Sequence, residues 1–105
     1  MMINTIKRIL GIGPTADLKI KLQEGAVILD VRTESEFRGG HIKDSINIPL
    51  QVLIEQVQKI PRDKVLITCC ASGMRSASAK AYLKKVGFQE VYNGGGWQSL
   101  HKKIK

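Results

Sequence analysis

The sequence has only two cysteines, and they are neighbours, Cys69 and Cys70. A disulfide framework needs partners spread along the chain, and adjacent cysteines bridge only under strain. This excludes a stapled secreted scaffold and favours a reducing compartment, so a cytoplasmic location is expected. Aromatic residues are also scarce, at 5%. Basic surfaces that grip single-stranded nucleic acid interleave aromatic side chains, so nucleic acid is not expected as a partner. No apolar run approaches the ~20 residues that span a bilayer. The apolar start, Met1 to Gly13, is interrupted by Asn4, Lys7 and Arg8 and lacks the cleavage pattern of a signal peptide. No membrane partner is expected.

What remains is an ordinary globular composition, 43% hydrophobic and 25% charged over 105 residues, which fits one domain. The net charge of +8 is unevenly placed. Residues 1–53 carry seven Lys/Arg against six Asp/Glu, whereas residues 54–105 carry ten against three. The basic half contains Cys70, so anionic substrates or an acidic protein partner would be drawn towards it. A solvated basic surface with a lysine-rich tail is the plainer reading of the same residues.

Met2, Ile3, Ile6, Ile9 and Leu10 recur at helical spacing, and Gly11 to Pro14 ends the pattern. Residues 1–14 are therefore expected to form an amphipathic helix and linker, and residues 15–105 the domain proper. Thr15 is placed to cap a helix from Ala16 to Gln23, with Leu18, Ile20 and Leu22 supplying its apolar face. Ala26 to Leu29 and Val65 to Thr68 are continuous apolar runs of the kind found in strands buried on both faces. Shorter strands are expected at Ser45–Ile48 and Glu90–Tyr92. Helices are expected from Leu50 towards Pro61, from Ser76 to Val86 and from Trp97 to Ile104. Alternating strands and helices predict an α/β domain with a mainly parallel sheet of four or five strands flanked by helices.

Cys70 falls where the third strand ends and a helix is about to begin, the edge of an open α/β sheet at which ligands bind. The intervening Ala71, Ser72 and Gly73 are small, and Gly73 can take a positive φ. Such a turn directs successive N–H groups inward and forms an anion nest at a helix N-terminus. A nest and a nearby cation lower a cysteine pKa, so Cys70 is expected to be a thiolate near neutral pH. Arg75 can offer its fork of donors to an oxyanion or hold the loop in shape. Cys69, within the strand, is expected to pack as an inert thiol.

The stretch Cys70-Ala71-Ser72-Gly73-Met74-Arg75-Ser76 resembles the active-site loop of rhodanese-domain proteins. Asp30-Val31-Arg32, Glu36-Phe37, Gly40-His41-Ile42 and Ile46-Asn47-Ile48-Pro49 resemble that family's upstream signature. Gly87-Phe88, Val91 and Gly94-Gly95-Gly96-Trp97 resemble its downstream one. The resemblance spans residues 26–97 and implies a sulfurtransferase. Cys70 would take the outer sulfur of thiosulfate or a similar small anionic donor and pass it, as a persulfide, to cyanide or a thiol. Ala71, Ser72, Gly73, Met74 and Arg75 would bind the substrate, and no cofactor or metal is implied. Sulfite leaves readily, so a thiolate and anion donors suffice without a general acid.

Asp30 and Arg32 lie at the same sheet edge as Cys70, where the family uses them to shape and charge the site. A structural ion pair is the alternative, and both readings stand. His41 and Glu36 belong to the structural part of the signature, and the triple glycine reads as a turn that permits close backbone approach. Three departures are visible. No strand candidate precedes the first helix, Asp44-Ser45 replaces a usual Gly-Ala, and Met74 is apolar within the loop. Two rival readings differ in chemistry. A cysteine phosphatase needs a loop one residue longer than Cys70–Arg75 and an acid for its leaving group. A carrier fed by a partner, or a docking module without catalysis, would share the same fold.

Overall fold

Strands Val27–Asp30 (β1), Ile46–Asn47 (β2), Leu66–Cys70 (β3) and Val91–Gly96 (β4) form one parallel sheet in the order β2-β1-β3-β4. The structure, a computed structural model, describes residues 14–105. The helix expected from Met2 to Leu10 lies outside the described residues. The others are Pro14–Gln23 (α1), Glu34–Arg38 (α2), Leu53–Gln56 (α3), Met74–Lys85 (α4) and Trp97–Ile104 (α5). Single 3-10 turns, Leu50–Val52 and Val57–Lys59, flank α3. Among the described residues no helix is long and apolar enough to cross a membrane.

The apolar runs make the two central strands, and β3 is buried along its whole length. Alternation sorts their side chains onto two faces. Leu29, Leu66 and Cys70 join Leu53 and Leu83 in a core under α3 and α4. Ile28, Ile67 and Cys69 join Leu18 and Leu100 in a second core under α1 and α5. Each such Leu or Ile contributes about 1.5–3 kcal/mol on burial. The adjacent cysteines therefore point to opposite sides of the sheet. Register pairs Asp30 with Asn47 on one side and with Cys69 on the other, and Cys70 with Gly96. This gathers the ends of all four strands at one edge.

Several elements differ from expectation. α1 begins at Pro14 itself, so Thr15 lies inside the first turn and not at the cap. Proline suits that position because its fixed φ is helical and its missing N–H has no partner to lose. Ile20 faces solvent. α2 was not anticipated, because five residues are too few for periodicity and none is buried. Its start was legible as a capping box: Glu36 N–H donates to Thr33 Oγ1 at 3.2 Å, and Thr33 N–H to Glu36 Oε1 at 2.9 Å. α4 starts two residues early, at Met74.

The largest difference is β4, which continues through Gly94, Gly95 and Gly96 instead of turning there. The expected close approach is present. A Cβ on Gly94 would sit 2.8 Å from Leu100 Cδ2 and 2.9 Å from both Ile67 Cγ2 and the Thr68 carbonyl oxygen. A Cβ on Gly96 would sit 2.8 Å from the Ala71 carbonyl oxygen. Gly94→Ala is expected to destabilise the domain by about 1–3 kcal/mol through overpacking. Urea unfolding checks this, and an unchanged midpoint would contradict the packing described.

Candidate functional site

Cys70 ends β3, and three small residues carry the chain to α4. Gly73 takes φ 103°, in the left-handed region where a Cβ is strained, and this reversal folds the loop back over the sulfur. The Gly73 N–H donates to Cys70 Sγ at 3.0 Å and the Ser76 N–H at 3.3 Å. The Ser76 hydroxyl lies 3.4 Å from the same sulfur. Cys70 is 1% exposed, while Ala71 and Ser72 above it are open to solvent.

Burial pushes the Cys70 thiol up. The Ser76 hydroxyl and the amides of Ser76, Gly73 and Ser72 outweigh it, and the net shift is downward. Cys69 has the opposite fate. Burial, with the Asp30 carboxylate adding to it, pushes its thiol up to about 12. Of two chemically identical neighbours, only one is prepared to carry charge, because only one faces the loop amides.

The loop is braced from beneath by residues that the sequence reading gave no role. Thr68 Oγ1 donates to the Ser76 carbonyl at 2.9 Å. The Ser76 hydroxyl donates to Asn93 Oδ1 at 2.6 Å, and Asn93 Nδ2 to the Gly73 carbonyl at 3.3 Å. Ser76 follows Arg75 in the loop motif and was legible as part of it. Asn93 comes from β4, 23 positions after Cys70, and no local pattern marks it.

Arg75 holds the loop from outside. Its guanidinium makes a two-pronged contact with Glu36, Nη1 to Oε1 at 2.8 Å and Nη2 to Oε2 at 3.0 Å. Arg75, and then the Thr33 N–H, hold the Glu36 carboxyl down at about 2. Met74, at the start of α4, is 79% exposed. Asp30 and Arg32 come together below the loop as a buried ion pair, with Nη2 to Oδ2 at 2.7 Å and Nε to Oδ1 at 3.0 Å. Arg32 Nη2 also donates to the Gly40 carbonyl, at 2.8 Å, and Nη1 to the Glu36 carbonyl, at 3.2 Å. Its guanidinium lies 4.6 Å from the centre of the Trp97 ring. His41 stacks on Phe37 with ring centres 3.7 Å apart, and its Nδ1 lies 2.8 Å from the Phe37 carbonyl. Among the described residues no three His, Cys, Asp or Glu side chains are grouped to hold a metal ion.

A thiol lowered in this way, within a ring of N–H donors, can act as a nucleophile and hold an anionic sulfur. Comparison with known proteins shows the family to which the chain belongs. The model of the rhodanese-like domain family matches residues 15–103. A thiosulfate sulfurtransferase, GlpE, from Pseudomonas savastanoi pv. phaseolicola is 38% identical over 74 residues, covering 70% of this chain and 70% of that protein. The uncharacterized YqhL of Bacillus subtilis is 41% identical over 81 residues, covering 76% of this chain but only 64% of that protein. A rhodanese-related protein of Thermoplasma volcanium superposes with TM-score 0.74 at 38% identity, over 85% of this chain and 88% of that one.

Two outcomes follow from the charge arrangement. Removing one partner of a buried ion pair strands the other, so Asp30→Ala is expected to cost about 3–5 kcal/mol in urea unfolding. A loss under about 1 kcal/mol would mean that the pair behaves as a surface pair. Glu36 has a depressed folded pKa, so its stabilisation is present above about 4.5 and lost as pH falls towards about 2. Unfolding measured across that window should fall less steeply with acid in Glu36→Gln than in the parent. Parallel curves would contradict the assignment.

Proposed function

Because the chain belongs to the rhodanese-like domain family, we propose that it is a sulfurtransferase that moves sulfane sulfur through a persulfide on Cys70. The observation that carries this reading is the convergence of the Gly73 and Ser76 amides and the Ser76 hydroxyl on the Cys70 sulfur. The relative named as a thiosulfate sulfurtransferase supports thiosulfate as donor.

In the first step the Cys70 thiolate attacks the outer sulfur of thiosulfate. A new sulfur–sulfur bond forms, the bond to the sulfonate breaks, and the electron pair leaves with sulfite. No proton moves, so no acid is required. The terminal sulfur is left anionic, and the backbone amides of the loop are the donors nearest to it. In the second step cyanide or a thiolate attacks that terminal sulfur. Thiocyanate or a new persulfide departs, and the Cys70 thiolate returns. We assign Ala71 to Arg75 to the loop that surrounds the transferred sulfur. Gly73 contributes its amide, and Arg75 acts through Glu36 to hold the loop's shape. Asp30 and Arg32 are given a supporting role, since the Arg32 donors are engaged by Asp30, Gly40 and Glu36.

Intact-protein mass spectrometry after incubation with thiosulfate tests the reading. The parent is expected to gain one sulfur atom, lost on adding cyanide as thiocyanate appears, and Cys70→Ser is expected to gain none. No adduct on a parent whose Cys70 still alkylates readily would overturn thiosulfate as donor. An adduct retained in Cys70→Ser would overturn Cys70 as carrier.

A further inference from the structure

The Ser76 hydroxyl has a single proton and three acceptors within reach: Asn93 Oδ1 at 2.6 Å, the Gly73 carbonyl at 3.1 Å and Cys70 Sγ at 3.4 Å. It can serve only one of them well at a time. Asn93 cannot turn away, because its Oδ1 also accepts the Gly95 N–H at 2.9 Å while its Nδ2 faces the Gly73 carbonyl at 3.3 Å. A backbone amide only donates, so it fixes which end of the carboxamide meets Ser76.

We propose that Asn93 is a positioning residue for Cys70, acting through Ser76 by competing with the sulfur for the Ser76 hydroxyl proton. While the sulfur is a neutral thiol, S–H donates to Ser76 Oγ and Ser76 donates to Asn93 Oδ1, a two-bond relay. When the sulfur is charged it has no proton to give and requires a donor. The Ser76 hydroxyl then turns to it, and Asn93 Oδ1 keeps the Gly95 N–H. Ionisation breaks the S–H bond and releases its proton to solvent; the Ser76 O–H bond stays intact and the hydroxyl only rotates. Asn93 thus favours the neutral thiol and opposes ionisation, while Ser76 supports the thiolate once released. Asn93 also ties the glycine run of β4 to the loop, so the strand beside the site and the charge of the sulfur are coupled. Among the described residues, Arg75 on α4 and Cys69 on β3 are titratable groups that sense Cys70, and the substitutions below leave both in place.

The inference rests on the reading of Cys70 as the reactive group, but its test needs no sulfur donor. The pH dependence of Cys70 alkylation, assigned by fragmentation, is measured in the parent, Asn93→Ala, Ser76→Ala and the double variant. Asn93→Ala is expected to lower the Cys70 pKa by about 0.4–1 unit, the equivalent of one net neutral hydrogen bond. In the Ser76→Ala background the same change should have no effect. If Asn93 only braces the loop, its loss lets the amides drift from the sulfur. The pKa then rises, or shifts equally in both backgrounds, and either result overturns the proposal. Asn93→Asp retains the shape and the acceptor and decides the matter if the alanine variant does not fold. It should raise the pKa more with Ser76 present than without it, and equal rises would overturn the relay. Failure of the protein to take sulfur from thiosulfate would leave these shifts untouched, so the two conclusions fail separately.

Discussion

A sulfur atom that is to carry charge at the end of a strand buried on both faces must be given hydrogen-bond donors, and the rest of the structure follows from supplying them. Burial alone would raise the Cys70 pKa, as it does for Cys69 beside it. The reversal at Gly73 brings two amides to the sulfur, and α4 then begins at once, with its first-turn residue Ser76 beneath. Because amides are fixed parts of the backbone, they need no reorganisation when charge appears. The loop must be held in one shape for this to work, and three separate elements hold it. α2 reaches it through Glu36 and Arg75, β3 through Thr68, and β4 through Asn93 and the close contact of Gly96 with Ala71.

The two charged pairs near the loop do different work because of where they lie. Asp30 and Arg32 are buried, so the pair and the backbone carbonyls around Arg32 stand or fall together, and they fix the turn between β1 and α2. Asn47 closes the same turn from β2, its Nδ2 donating to the carbonyls of Asp30 at 3.0 Å and Arg32 at 2.9 Å. Glu36 and Arg75 are partly exposed, so their contact is screened and contributes less to stability. Its value is geometric: the planar fork sets the direction in which the loop enters α4. The Trp97 ring over Arg32 joins the C-terminal helix to this arrangement.

Much of this was legible before any coordinates. The apolar runs at 26–29 and 65–68, the helical spacing from Ser76 onward and the small residues after Cys70 each follow from local physics. Together they predict a parallel sheet with the cysteine at its carboxyl edge. The terminal helix has the expected bounds, Trp97–Ile104. The misses also have physical causes. α2 spans little more than one helical turn, too short for a hydrophobic repeat to show, and its capping box was the local sign. The continuation of β4 through three glycines runs against their turn preference. Leu100, Ile67 and the Thr68 carbonyl leave no room for a side chain at Gly94, and the Ala71 carbonyl leaves none at Gly96, while Gly95 takes φ 83° in open space.

The sequence by itself determined the fold class, the strand that ends in Cys70 and the kind of turn that follows it. These depend on neighbouring residues, on hydrophobic runs and on backbone freedom at Gly73. Local pattern also separated Cys70, at the turn, from Cys69, within the strand; the tertiary structure supplies the cause, because alternation gives them opposite faces and just one face has the loop above it. Only the tertiary structure brought Asn93 to Ser76, Glu36 to Arg75 and Trp97 to Arg32. Those pairs lie 17, 39 and 65 positions apart along the chain. Hydrogen bonds and ring contacts act over a few ångströms, so such partners meet only once the sheet has set its register.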